Sequence, residues 1–215
     1  IQKICLMNEQ EAKKYLLNDL KISSKHFEKL EIYVDRLIKF NKRYNLIGKS
    51  TEKDIWSRHI VDSAQIIKLI DTSKDYALAD LGSGAGLPGI IIGLLKENPN
   101  FHVKLYEKSN VKRLFLKSIA DELKLNINIL GKIEKDTKLG VDIIVARAFK
   151  KFEQIIDISR ENNKKNHKII ILLGKSAELE VKKASKLLKY PYRLVNSVTD
   201  SKSKIFVTDI LKNNA

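Results

Sequence analysis

The sequence predicts an α/β protein with a doubly wound, mainly parallel sheet, an antiparallel hairpin at its C-terminal end and a small helical N-terminal extension. Three observations carry that prediction. From about residue 75, short apolar strand patterns alternate with helical ones, the signature of βαβ units. The first apolar segment runs straight into a glycine-rich loop, "DLGSGAGLPG". The last two strand patterns, "YRLVNSV" and "KIFVTDIL", flank the turn-like "TDSKSK" with no helix between them. At 215 residues and 43% hydrophobic content the chain can bury a sizeable core. The expected division is 1–70 for the extension and 71–215 for the α/β domain.

Within the extension, Ser23 or Ser24 can cap a helix whose apolar positions Phe27, Leu30, Val34, Leu37 and Ile38 fall at helical spacing. Thr51 and Asp54 resemble a capping box for a second helical stretch through Ile55, Ile60, Ile66, Ile67 and Ile70. "NKRYNLIGKS" between them reads as a polar, basic connector. "YALADL" is the first strand, and "PGIIIGLLKEN" a helix with Pro88 in its first turn. "HVKLYE" is the second strand, followed by a helix opened by Ser109. "INIL" and "VDIIVAR" are the next strands. A helix over 149–163, the strand "KIIILLG" and a helix over 176–189 precede the hairpin.

Composition narrows the function. The single cysteine, Cys5, excludes an intramolecular disulfide framework, and 4 scattered histidines argue against a zinc site, so no metal is expected. The longest apolar runs are far too short for a bilayer span, and "IQKICLMNEQ" lacks a signal-peptide core, so the expected location is the cytoplasm. Met7 is a candidate start. Net charge is +15 with a pI near 9.7, which suits an anionic partner, nucleic acid first. Only 7 of the 41 basic residues are arginine. Arg43, Arg58, Arg113 and Arg147 are therefore the more informative cations, because planar bidentate contacts need a guanidinium.

The glycine loop has two registers. Gly84, Gly86 and Gly89 match the literal dinucleotide pattern G-x-G-x-x-G. Asp80, Gly82, Gly84 and Gly86 form an acidic-glycine pattern that sits directly on the strand end, which is where a phosphate- or nucleoside-binding turn belongs. Glu107, about 20 residues further on at the end of the second strand, suits a ribose. That acid serves NAD and S-adenosylmethionine equally.

The strand layout with its terminal hairpin resembles the class I (Rossmann-like) S-adenosylmethionine-dependent methyltransferases. "NKRYNLI", "RHIVDS", "DLGSGAGLPGI", "IE" at 133–134 and "VDIIVARAF" then occur in the order and spacing of the glucose-inhibited division protein B family, the bacterial 16S ribosomal RNA guanine-N7 methyltransferases. The resemblance covers nearly the whole chain. It implies S-adenosyl-L-methionine against Gly82, Gly84, Gly86 and Leu87, its ribose at Glu107 and its adenine beside Ile133 and Glu134. It places Arg147 near the methionine end or the incoming base, and brings Asn45, Arg58, His59 and Asp62 to the cleft. Lys132 stands where the family usually has arginine, and Gly174-Lys175 reverses the family's Lys-Gly order. Arg147, Lys132 and His59 are the catalytic candidates; for His59 the alternative is a ring bonded within the helical layer. Asn45, Arg58, Lys112, Arg113 and Lys175 are the RNA-contact candidates.

The expected partner is 16S ribosomal RNA or the small ribosomal subunit particle, with a monomeric enzyme and no membrane. Two rivals stand beside this reading. An NAD-dependent oxidoreductase would use the literal glycine pattern, but no Tyr-x-x-x-Lys or comparable hydride-transfer pair appears. A purely RNA-binding protein with a vestigial nucleotide fold leaves the loop and Glu107 without a purpose.

Overall fold

The computed structural model describes residues 7–184, 188 and 190–211. Cys5 lies outside them. The N-terminal layer begins with α1 (Glu9–Lys14), which has a full capping box between Asn8 and Glu11. It continues as a π-helical turn over Tyr15–Asp19. The long α2 (Ser24–Tyr44) follows, capped by the Ser23 hydroxyl, which accepts from the His26 amide. Leu30, Val34 and Leu37 line its buried face, as their spacing predicts.

The connector and the second start differ from expectation. "NKRYNLIGKS" is not a solvated link. Its first four residues are the last turn of α2, and the buried Asn41 donates to Glu52 at 2.8 Å while accepting from the Ile47 amide at 2.9 Å. Leu46 and Ile47 are themselves buried. The short α3 (Lys49–Glu52) starts at Gly48 with no side-chain cap, so Thr51 lies inside it and is not a cap. A π-helical segment, Trp56–Val61, leads into α4 (Asp62–Ala64) and a 3₁₀ turn over Gln65–Leu69.

The α/β part follows as β1 (Ala77–Leu81), α5 (Gly89–Leu95), β2 (His102–Tyr106), α6 (Asn110–Glu122), β3 (Ile127–Leu130) and β4 (Ile143–Arg147). It ends with α7 (Phe152–Asn162), β5 (His167–Leu173), α8 (Ala177–Lys183), β6 (Tyr192–Asn196) and β7 (Lys204–Ile210). Of the helix expected to reach 189, residues 185–187 and 189 lie outside the described set. The sheet has 7 strands in the order β3-β2-β1-β4-β5-β7-β6. All neighbours are parallel except β7, which runs antiparallel to both β5 and β6. The hairpin is thus present, with β7 inserted inside the sheet and β6 at its edge.

Alternation along the strands divides the core. Leu78, Ile143, Val145, Ile170 and Val207 face one layer, built from the N-terminal helices with α5 and α6. Ala79, Leu81, Ile144, Ala146, Ile171 and Phe206 face the other, built from α7 and α8. Strand order reverses between β1 and β4, and the crevice outside their C-terminal ends is where open α/β sheets hold ligands.

Candidate active site

That crevice is a cavity of about 990 Å³. Gly82, Ser83, Gly84 and Leu87 from the β1 loop line it, with Glu107 from the end of β2, Ile133 from beyond β3 and Arg147 from the end of β4. The turn starts at Gly82, whose φ of +73° is a left-handed conformation, and a Cβ there would lie 2.1 Å from the Phe149 ring. Gly86 has a different task. At φ +94° it packs its Cα side against Ile90 and Leu116, so it shapes the turn without lining the cavity. At Gly84 the space is open: the nearest atom to a Cβ would be the Gly82 carbonyl oxygen at 3.8 Å.

Two acids fix this loop. Asp80 is fully buried and accepts from the Gly89 amide at 2.9 Å through Oδ2. Its Oδ1 has no partner, and burial pushes the carboxyl up to about 7. The structure therefore explains the acid of the strand-end pattern as a tie between β1 and the start of α5. Glu107 is also buried, with Oε2 accepting from the Gly84 amide at 2.8 Å and Oε1 from the Ser109 amide at 2.8 Å. Each carboxylate oxygen offers about two acceptor positions, so both keep one for a ligand hydroxyl. A third tie was invisible in the sequence. Tyr33 of α2, fully buried, donates its hydroxyl to the Ala85 carbonyl at 2.9 Å. Burial raises its phenol above the ordinary tyrosine range.

On the far side of the crevice, Arg147 is held by the N-terminal layer. Its Nη1 lies 3.2 Å from the Arg58 carbonyl and 3.4 Å from Asp62 Oδ2, and its Nη2 lies 3.2 Å from His59 Nδ1. His59 Nε2 lies 2.8 Å from Thr51 Oγ1, and that hydroxyl donates to the Gly48 carbonyl at 2.7 Å. A guanidinium can only donate, so Nδ1 must be the acceptor and the ring proton sits on Nε2. The direction of every bond follows: Arg147 to His59, His59 to Thr51, Thr51 to Gly48. Burial, with Arg147 and Arg58 beside it, holds the imidazole down to about 3, well below the ordinary histidine value. His59 is therefore neutral, with its lone pair engaged, and serves as an acceptor that positions Arg147. The structure favours the bonded ring over the catalytic base.

Asp62 extends this anchorage. Its Oδ1 accepts from Gln65 at 3.0 Å and from Thr199 of the β6–β7 turn at 3.2 Å. Burial pushes its carboxyl upward, with Arg147 opposing. Gln65 also reaches the turn itself, donating to Ser197 at 3.1 Å and accepting from the Val198 amide at 2.9 Å.

The remaining predicted residues divide. Arg58, Lys112, Lys132 and Ile133 line the cavity. Glu134 does not; it is exposed and pairs with Lys132 at 3.1 Å. Arg113 turns away to the Glu107 and Lys108 carbonyls at 2.8 and 2.9 Å and to Asn110. Asn45 is the exposed, left-handed C-cap of α2. Lys175 is exposed and off the lining. Lys108 and Lys150 line the cavity although no motif singled them out, and Phe149, the last residue of "VDIIVARAF", lines it without having been assigned a role. Among the described residues there is no cluster of metal-ligating side chains.

A glycine turn on β1 facing an acid on β2, in a 7-strand sheet whose penultimate position is antiparallel, defines a class I S-adenosylmethionine-dependent methyltransferase. The cofactor's chemistry fits these residues: spare carboxylate acceptors at Glu107 for hydroxyls, apolar Leu87 and Ile133, and open space over Gly84. The S-adenosylmethionine-dependent O-methyltransferase of Thermotoga maritima superposes with a TM-score of 0.58 at 17% identity, covering 85% of this chain and 73% of that one; at this identity the likeness concerns the fold. In sequence, the ribosomal RNA small subunit methyltransferase G of Pelagibacter ubique is 33% identical over 202 residues, 92% of this chain and 93% of that protein. Its counterpart from Zymomonas mobilis is 34% identical over 209 residues, 94% and 93% of the two chains. The family model described as "GidB: rRNA small subunit methyltransferase G" matches residues 26–207, and the chain belongs to that family.

Proposed function

We propose that this chain transfers the methyl group of S-adenosylmethionine to N7 of a guanine in 16S ribosomal RNA, with the base held in the basic crevice. The observation that supports this most is the convergence in one cavity of the Gly82–Gly84 turn, Glu107 and an Arg147 locked by a neutral histidine. S-adenosylmethionine, when bound, supplies an electrophilic methyl on a positively charged sulfur.

The protein's share of the work is placement. Guanine N7 carries a free lone pair, so no side chain needs to remove a proton. His59, with its Nδ1 already accepting from Arg147, fits a site without a general base. Positive charge passes to the guanine ring as it leaves the sulfur, so the chain has no new charge to neutralise, only an approach line to hold. Orientation of this kind is worth roughly 7–11 kcal/mol in well-aligned reactions. Arg147, at the end of β4, is the group placed to grip guanine O6, a phosphate or the cofactor carboxylate. Arg58, Lys112 and Lys132 line the same cavity and suit the RNA backbone. The target base must be unstacked to enter, which favours a loop or an incompletely folded RNA.

In this reading residues 1–70 are an extension that completes the site from one side, and the working form is a cytoplasmic monomer. No helix among the described residues is long and apolar enough to cross a membrane. The test uses methyl-labelled S-adenosylmethionine with deproteinised 16S RNA and with small subunits, followed by digestion to nucleosides. Label in 7-methylguanosine supports the proposal. Label on another atom, or none with either substrate, refutes it.

A further inference from the structure

The rim of the crevice carries an apolar surface that the methyl-transfer reading leaves unused. Tyr44, in the last turn of α2, is 46% exposed although its ring leans on Phe40 at 4.7 Å between centroids. Phe40 in turn meets Phe115 of α6 at 5.2 Å. Further back along α2, Arg36 forms a forked pair with Glu122 at the end of α6, at 2.7–3.0 Å. Moving forward on α2 from Arg36 to Phe40 therefore means moving backward on α6 from Glu122 to Phe115, so the two helices are antiparallel. One more turn along each brings Tyr44 level with the start of α6. There Val111 is 38% exposed and Leu114 is 63% exposed. Val111 precedes Phe115 by four residues and so shares its helix face; Leu114 is its neighbour three residues on.

Tyr44, Val111 and Leu114 stand outside the cavity lining, one or two residues along the chain from residues that form it. Leu46, two residues after Tyr44, is one of those, and so is Lys112, next to Val111. The surrounding cations are uncommitted: Lys42, Arg43 and Lys112 form no ion pair among the described residues. An aromatic ring on an apolar shelf, edged by unpaired positive charge at the mouth of a catalytic crevice, matches how single-stranded nucleic acid is held. The groove cations track phosphates while the ring receives a base face.

We propose that Tyr44, backed by Val111 and Leu114, is a stacking platform for an unpaired nucleotide of the RNA substrate flanking the target base. The platform rests on the reading that the substrate is RNA. It holds the strand open beside the crevice, so that the neighbouring guanine does not fall back into its stack. Charge alone does not give this selectivity, since a cationic groove binds paired and unpaired strands alike.

The experiment compares wild type with Tyr44→Ala, Tyr44→Phe and Leu114→Ala, using deproteinised 16S RNA. KM and kcat are measured at several salt concentrations, with S-adenosylhomocysteine affinity as the control for an intact fold. Tyr44→Ala should raise KM about tenfold, equivalent to about 1.4 kcal/mol, with cofactor affinity and the salt slope of RNA affinity unchanged. Tyr44→Phe should stay within about twofold of wild type, because the ring and not the hydroxyl stacks, and Leu114→Ala should fall between. An unchanged KM for Tyr44→Ala overturns the platform, as does an equal defect in Tyr44→Phe or a salt slope reduced by about one phosphate's worth. Self-association of the wild type that Tyr44→Ala abolishes also overturns it, by making the patch a contact between copies. A wild-type enzyme that methylates no RNA fails the parent reading instead, and the two failures are thereby distinct.

Discussion

Thr51→Val removes one hydroxyl from the chain of bonds that ends on Arg147 and keeps nearly the same volume. In the native protein that hydroxyl accepts from His59 Nε2 at 2.8 Å and donates to the Gly48 carbonyl at 2.7 Å. Valine leaves an N–H without an acceptor on a residue only 9% exposed. An unsatisfied buried donor costs about 1–3 kcal/mol. The ring can escape that cost by rotating or by moving its proton to Nδ1, and either change takes away the acceptor that Arg147 Nη2 uses at 3.2 Å. The variant should therefore lose about 1–3 kcal/mol in urea unfolding and about tenfold in turnover, or about 1.4 kcal/mol of barrier. Thr51→Ser should restore both. The decisive assay is the nitrogen-15 spectrum of the His59 ring in the cofactor-free protein. Wild type and Thr51→Ser should show the proton on Nε2, and Thr51→Val a changed or mixed tautomer. A Thr51→Val protein with wild-type stability, tautomer and turnover would refute the claim that this relay holds Arg147.

Two buried groups tie stability to pH, and His59 makes it fall on the acid side. Its native value of about 3 lies below the ordinary 6.5, so the unfolded chain binds more protons between them; stability present above 6.5 drains away toward pH 3 at roughly 1.36 kcal/mol per unit. Asp80 has the opposite sign: raised from 3.8 to about 7, it contributes stability present below 3.8 and lost as pH rises through 7, so the two slopes oppose each other between 3.8 and 6.5; there His59→Asn should make stability fall more steeply with rising pH and Asp80→Asn should make it rise more steeply, and unfolding slopes identical to wild type would count against both. Glu107→Ala should weaken S-adenosylhomocysteine binding by roughly 1.5–3 kcal/mol, read by calorimetry, because it removes the acceptors proposed for the ribose and frees the Gly84 amide at once; unchanged affinity removes Glu107 from the site. Gly82→Ala forces a left-handed alanine at about 1–2 kcal/mol and drives its Cβ to 2.1 Å from the Phe149 ring, so cofactor binding should be lost well before the fold, and a variant that binds normally contradicts the geometry.

What the sequence revealed was whatever rests on local pattern. The buried strands show as apolar runs, α2 shows as a capped periodic stretch, and the hairpin shows because no helix separates "YRLVNSV" from "KIFVTDIL". Glu107 was legible because its distance from the glycine turn is set by one βαβ unit. The connector "NKRYNLIGKS" was misread because polarity per residue says nothing of partners. Asn41 is buried only because Glu52 and the Ile47 amide satisfy it. Thr51 carried a plausible capping signal, but its hydroxyl is claimed by a histidine eight residues away on a π-helical turn that no periodicity announces. Tyr33 had no signal at all, since its partner is a backbone carbonyl 52 residues downstream. Arg147 was placed at the right strand end, while the residues that aim it come from elements folded against the sheet from elsewhere in the chain.

The insertion of β7 between β5 and β6 has a bearing on synthesis. The turn before β7 supplies Thr199, which braces Asp62 across 137 residues, and Val198, which braces Gln65 across 133. A nascent chain emerging N-terminus first exposes the glycine loop, Glu107 and Arg147 long before that turn leaves the ribosome. Until it does, the carboxylate opposite Arg147 lacks its backing and β5 has an unpaired edge. A chain still in translation thus carries the sequence of the crevice before it has the turn that braces it.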